Sequence, residues 1–413
     1  MRAARAEEPA IATRNPFASP GFARWWLASL VAGTGVGIQA VTVPLFVRDR
    51  VDVDARALAI AGALVVQTLP AALFALLGGA IADRIERRRI LVRTYAIAAA
   101  ASLGYVALCV ADVRSVWPVF PLAAIVGAAG AFTNPARASL LPQLVERPQL
   151  QNGVILGTMG FMAALQFLGP RVGGLVVDGV GITAAFGLEV ALLAAAAAAF
   201  GGLRAAPMPP SGRRLLDDLA DGLRAVARQP ALRALLLMAL VPGVFFIRPF
   251  AVTIALMVPD VLGASDKWVG LLWGCFGVGV FLGSVALTLR PLPRRGLAVC
   301  IANTVGDAVL VLYGASTSLP LSAAALVVWG AGASVFMNYV VTLLQEHTEP
   351  AMMGRVMSMY SLAFFVSMPV GYAQAGLLTR LFDPPTTLVA NGVAALAIGA
   401  QTLAFARTMH GLS

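Results

Sequence analysis

Long apolar runs alternate with short polar breaks along the whole chain. The runs cover roughly 22–47, 58–82, 90–110, 116–138, 152–177 and 182–203, then 232–258, 269–289, 297–315, 321–344, 356–381 and 387–406. Each is about long enough to cross a bilayer as one helix, which takes ~20 apolar residues. No ten-residue segment alternates apolar and polar with period two, so a transmembrane β-barrel is excluded. The pattern predicts an all-α polytopic membrane protein with twelve transmembrane helices.

The spacing of the runs changes once. Residues 204–230 form the longest polar segment and contain Pro207, Pro209, Pro210, Asp217, Asp218, Asp221 and several arginines. Leu215, Leu216, Leu219, Leu223 and Val226 fall on one helical face within it, predicting a short amphipathic helix on the membrane surface. The chain therefore divides into a six-helix half over 1–203, a linker over 204–230 and a second six-helix half over 231–413. A weak repeat agrees: Gly79 corresponds to Gly283, and Leu140-Leu141 to Leu343-Leu344. Parallel halves of this kind mark one large class of transporter.

Composition supports the same class. Of 413 residues 59% are hydrophobic and 12% charged, against about a quarter charged in soluble domains. The net charge of +10 comes almost wholly from arginine, Lys267 being the only lysine. In a soluble protein such a balance would suggest nucleic acid. Here the arginines gather in alternate short loops, which is topology signalling by positive charge inside. Both termini are then cytoplasmic, and nucleic-acid binding is excluded. Cys109, Cys275 and Cys300 lie singly in apolar runs and predict neither a disulfide framework nor a metal site. The N-terminus carries Arg2, Arg5, Glu7, Glu8 and Arg14 with no short apolar core, so no cleaved leader is expected. Trp25 and Trp26 are expected as interfacial anchors of the first span.

The densest charge lies between the second and third runs, where Asp83, Arg84, Glu86, Arg87, Arg88 and Arg89 follow Gly79. Gly79-x-x-x-Asp83-Arg84-x-x-Arg87-Arg88 resembles the turn between helices two and three of the major facilitator superfamily. Glu86 stands where that family usually has a second glycine, a departure shared by the subgroup of enterobactin-exporter-like and macrolide-efflux-like proteins. Thr348-Glu349-Pro350-Ala351-Met352-Met353-Gly354-Arg355 and Ala40-Val41-Thr42-Val43-Pro44 resemble the same subgroup. Gly169-Pro170-x-x-Gly173-Gly174 resembles the end of the superfamily's antiporter motif, with Leu165 in place of an earlier glycine. The resemblance covers nearly the whole chain. It implies the major facilitator fold and a gating role for Asp83, with Arg84 and Arg87 completing a charge network. The alternative for the arginines, Arg88 included, is topology signalling alone. A helix starting near Val356 would present its positive N-terminal end to Asp83, next to Gly354 and Arg355.

Ionisable residues inside the spans are few. Asp307 lies mid-way along the ninth run and Glu189 a third of the way into the sixth. Buried carboxyls in general favour the neutral form, so they can bind and release protons; the alternative is a hydrogen bond that merely holds two helices together. Arg248, between Phe246 and Pro249 in the seventh run, stays charged and needs partners. It either attracts an anionic substrate group from a central cavity, snorkels outward, or pairs with Glu189 or Asp307. Gln39, Gln67, Gln166, Asn303, Asn338 and Gln374 line a cavity or join helices. Gly279-x-x-x-Gly283 is read as close helix packing rather than a nucleotide loop. His347 and His410 have no acids at ligand spacing, so no metal is expected, and there is no Gly-x-x-x-x-Gly-Lys loop for ATP.

The reading is a secondary active transporter of the cytoplasmic (inner) membrane. It exports small amphipathic molecules, namely drugs, natural products or siderophores, by exchange with H+, acts as a monomer and needs no cofactor. Uptake or lipid movement on the same fold is the alternative. An integral-membrane enzyme would need a polar catalytic cluster, which the sequence lacks.

Overall fold

The computed structural model describes residues 15–82, 86–203, 230–348 and 352–405, and structural statements refer to these. They form helices and short connections, with no strand among them. In order these are α1 (Pro20–Arg48), α2 (Arg56–Ala82), α3 (Arg87–Val110), α4 (Val119–Leu140), α5 (Leu150–Ala163), α6 (Gly169–Gly179) and α7 (Ile182–Gly201). After the linker come α8 (Pro230–Phe245), α9 (Ile247–Leu256), α10 (Lys267–Leu289), α11 (Arg295–Ala315), α12 (Leu319–Glu346), α13 (Met353–Leu381) and α14 (Pro384–Phe405). Eleven spans among the described residues are long and apolar enough to cross a membrane. The twelfth run is α14, 22 residues long. The expected linker helix and residues Asp83, Arg84 and Ile85 lie outside the described residues.

Two runs expected as single helices are interrupted. A π turn over Ala164–Leu168 joins α5 to α6 in one span. The seventh run breaks at Phe246 between α8 and α9, and a second π turn follows over Met257–Val261. Such turns hold one extra residue inside a helix and often mark functional sites.

Helix packing is uneven along the bundle axis. At the end carrying Arg48, one continuous apolar core includes Phe46 of α1, Ile60 of α2, Phe186 of α7, Phe250 of α9, Leu272 of α10 and Leu310 of α11. At the opposite end there are two separate cores among the described residues. One contains Phe22, Trp25, Tyr95, Leu140 and Phe200; the other contains Leu235, Val299, Tyr339, Leu343 and Val356. The first draws only on residues before the linker and the second only on residues after it. Across the linker, α2 packs along α13 and α6 along α10. Gly279 and Gly283 face α12 as the spacing predicts, an added Cβ at Gly283 falling 2.7 Å from the Ala331 carbonyl.

The tryptophan expectation is corrected in part. Trp25 is 1% exposed, and its ring fills the space over Gly157 of α5. Trp26 donates to the Leu156 carbonyl at 2.9 Å. Glycine at 157 and 160 leaves room for the two indoles, so Trp25 is buried against α5 and Trp26 is half-buried on it. Trp117, just before α4, is 76% exposed.

Candidate functional site

Gly79 lies in the last turn of α2, and Gly354 and Arg355 in the first turn of α13. Asp83 and Arg84 fall outside the described residues. The remaining arginines of the turn have specific partners. Arg87 donates to the Ser139 carbonyl at 2.9 Å and so ties the start of α3 to α4. Arg88 donates to the carbonyls of Gly201 and Leu203, each at 3.2 Å, at the end of α7. Glu86, where the superfamily usually has glycine, pairs with Arg88 at 2.9 Å and Arg89 at 2.7 Å. Arg88 thus caps a helix C-terminus, where a cation is favoured, and Glu86 holds its guanidinium in place.

Gly169, Pro170, Gly173 and Gly174 make a joint with two faces. A Cβ at Gly169 would lie 2.5 Å from the Thr34 carbonyl and 2.6 Å from Gly37 Cα, so α6 and α1 meet backbone to backbone. On the other face, a Cβ at Gly174 would lie 2.9 Å from the Lys267 carbonyl and 3.0 Å from the Gly270 nitrogen of α10. Gly270 in turn lies against the Pro170 carbonyl. The motif therefore wedges α6 between a helix before the linker and one after it.

Beside this joint are two ion pairs that also cross the linker. Arg48, at the end of α1, donates Nη1 and Nη2 to the two carboxylate oxygens of Asp266 at 2.7 and 2.9 Å. Its Nε reaches Asp49 at 2.7 Å and its Nη1 also reaches the Ala255 carbonyl at 3.3 Å. Lys267 lies 3.6 Å from Asp178. In the sequence Arg48 stands among Asp49, Asp52 and Asp54. Its partner across the linker is 218 residues away, so only the three-dimensional packing could reveal the pair.

The intramembrane candidates do not converge on one point. Gln39 of α1 accepts from Gln67 of α2 at 2.9 Å, and its own Nε2 is buried without a partner. Glu189 of α7 accepts from Ser102 of α3 at 2.6 Å, leaving Oε2 unpartnered. Asp307 of α11 accepts from Asn303 at 3.2 Å and leaves Oδ1 unpartnered; it faces α14, where a Cβ at Gly399 would lie 3.2 Å from its Oδ2. Arg248, at the start of α9, donates to the Tyr372 hydroxyl of α13 at 3.0 Å and lies 5.6 Å from the Phe364 ring. It pairs with neither Glu189 nor Asp307. Each carboxyl is fully buried, Glu189 where α7 packs on α3 and Asp307 where α11 packs on α14.

One residue stands out that sequence reasoning passed over. Arg137 of α4 is 7% exposed, and its guanidinium carbon lies 3.9 Å from the Phe161 ring centre and 5.8 Å from that of Trp25. Its Nε, the Tyr95 hydroxyl and the Trp25 indole nitrogen are all buried without hydrogen-bond partners. The sequence shows only an arginine near the end of an apolar run, which reads as a topology signal.

The profile of the transmembrane secretion effector family matches residues 11–410. The chain belongs to that family. It is a multi-pass transporter of the major facilitator superfamily, and the enzyme alternative is set aside. Curated relatives of this transporter include the enterobactin exporter EntS of Shigella boydii serotype 4 (strain Sb227), 24% identical over 397 residues, covering 93% of this chain and 91% of the relative. EntS of Escherichia coli O1:K1 / APEC is 25% identical over 402 residues with the same coverage. Among solved structures, a D323A mutant of the nucleoside transporter NupG superposes with TM-score 0.73 at 14% identity, over 94% of this chain and all of that one. A bacterial homologue of the human lysosomal transporter Spinster, inward-facing and occupied, gives 0.72 at 15% identity over 94% and 96% of the two chains. These superpositions establish the fold.

Proposed function

We propose that this transporter exports small amphipathic molecules, a drug, natural product or siderophore, from the cytoplasmic side of the inner membrane in exchange for H+. The observation that carries the alternating-access part is the uneven core. One continuous core at the Arg48 end and two separate cores at the other fit two bodies, residues 1–203 and 231–413, that rock about the joints α2–α13 and α6–α10. The linker over 204–230 is long enough to let them do so. In this reading both termini are cytoplasmic and the Arg48 end is the outer side, closed in this state by Arg48–Asp266 and the Gly174–Gly270 contact. The inner side then closes through the turn at Asp83 and Arg84, with Arg87, Arg88, Gly354 and Arg355 beside it.

The direction and substrate class are supported by the enterobactin exporters named above. Arg248 with Tyr372, together with Gln39, offers polar groups for an anionic or phenolic substrate. Asp307 and Glu189 are the carboxyls available for proton coupling, and the monomer suffices for the cycle.

Inside-out vesicles with an imposed pH gradient provide the test. Accumulation of enterobactin or of a panel drug that collapses with the gradient is the expected result. Faster solute uptake by whole cells, with no protection of an efflux-deficient host, would replace export with import.

A further inference from the structure

The end of the bundle opposite Arg48 has a cavity on the outer flank of the turn that carries Arg88. It measures about 340 Å3 and is lined by Arg88, Arg89, Val92, Arg93 and Gly201, on the flank where α3 meets α7. Among the described residues its charge is unbalanced. Glu86 neutralises part of Arg88 and Arg89, and Arg24 adds another cation by donating to the Gly202 carbonyl at 3.1 Å. Arg93 is exposed and forms no ion pair or hydrogen bond among the described residues.

Depth and surroundings narrow the occupant. Arg93 follows Arg89 by one helical turn on the same face, about 6 Å further into the span. An unpaired guanidinium at that depth is costly unless it meets an anion or water. Below it the exposed face of α3 is apolar and continuous: Ile97 is 48% exposed, Leu103 56% and Val110 75%. A cationic cavity at a span end, opening onto an apolar stripe at helical spacing, has the two parts of a site for an anionic amphiphile lying along the helix.

We infer that this cavity binds the phosphate of an anionic phospholipid, whose acyl chains lie along the exposed stripe of α3. Arg89 and Arg93 supply the charge, and Val92 the apolar floor. Arg88 stays committed to the end of α7.

Native mass spectrometry of the full chain in detergent tests this. Dioleoylphosphatidylglycerol should be retained about 30-fold more tightly than dioleoylphosphatidylcholine, from two arginines near the surface at about 1 kcal/mol each. The double substitution Arg89→Gln with Arg93→Gln should bring the ratio to within about twofold, because both side chains are exposed and the fold does not depend on them. Equal retention of the two lipids by the parent protein would overturn the assignment. So would an unchanged preference in the double variant. Displacement of phosphatidylglycerol by equimolar inorganic phosphate would show that the site takes a soluble anion, and would equally overturn it.

Discussion

Arg48 and Asp266 join the end of α1 to the start of α10, so their loss should open one end of the bundle without unfolding it. The Arg48 side chain is 10% exposed and that of Asp266 26%, placing the pair between the buried and surface limits. Two unit charges about 4 Å apart attract by about 4 kcal/mol at an effective dielectric of about 20. Desolvation removes part of that, and breaking fully buried pairs costs about 3–5 kcal/mol against about 0–1 for exposed ones. Asp49 stays on Nε at 2.7 Å and cushions the loss, so Asp266→Asn should cost about 2 kcal/mol, or about 30-fold in the equilibrium. If about 1% of parent molecules are open at this end, the variant should reach about a quarter. Spin labels at Val53 and Ser265, both exposed at this end, report it by pulsed electron resonance once Cys109, Cys275 and Cys300 are replaced. A long-distance population should appear in the variant. Distances that do not move, or effects of Arg48→Met and Asp266→Asn that simply add in the double variant, would refute the latch.

Three further substitutions test separate parts of the molecule. Asp307→Asn should abolish pH-driven exchange in vesicles while leaving counterflow intact; unchanged pH-driven transport would remove Asp307 from the coupling. Arg137→Met loses a cation–π contact worth about 2 kcal/mol but relieves an unpaired buried cation costing several. It should therefore raise the melting temperature in detergent, and a fall of more than a few degrees would mean the guanidinium is satisfied where it is. Gly174→Leu should wedge α6 from α10 and disfavour the state closed at this end. The same spin-label pair would then report lengthening, whereas an unmoved distance would mean that the backbone contact carries no constraint.

The order and rough extent of the spans were legible because length and apolarity are local properties. Transmembrane helices satisfy their own backbone hydrogen bonds, so their ends fell within a few residues of the runs. Facing was less legible. Gln39 could be recognised as an intramembrane polar residue, but its pairing with Gln67 depends on which helix packs beside α1. Asp307 and Arg248 were found by the same rule, yet they serve different helix pairs, and no periodicity states that. Gly173 and Gly174 were identified through a motif, while the tight contacts of Gly270 and Gly37 had no such cue. Arg137 was hidden by its type: near a span end an arginine reads as topology, and only its burial beneath Phe161 separates it from the rest.

The π turn over Ala164–Leu168 bears on how this span tolerates changes in length. Each residue added to or removed from a regular α-helix turns everything beyond it by about 100°. One deletion within α5 would swing Gly157 away from Trp25, and one within α6 would turn Gly173 or Gly174 off its neighbour. Between them lies a segment already carrying a surplus residue. Shortening it by one would convert the π turn to ordinary α-helix and leave both glycine faces where they are. Residues 164–168 are thus the one stretch of the span where a single-residue deletion should be absorbed locally, and where an alignment of the family should place its gap.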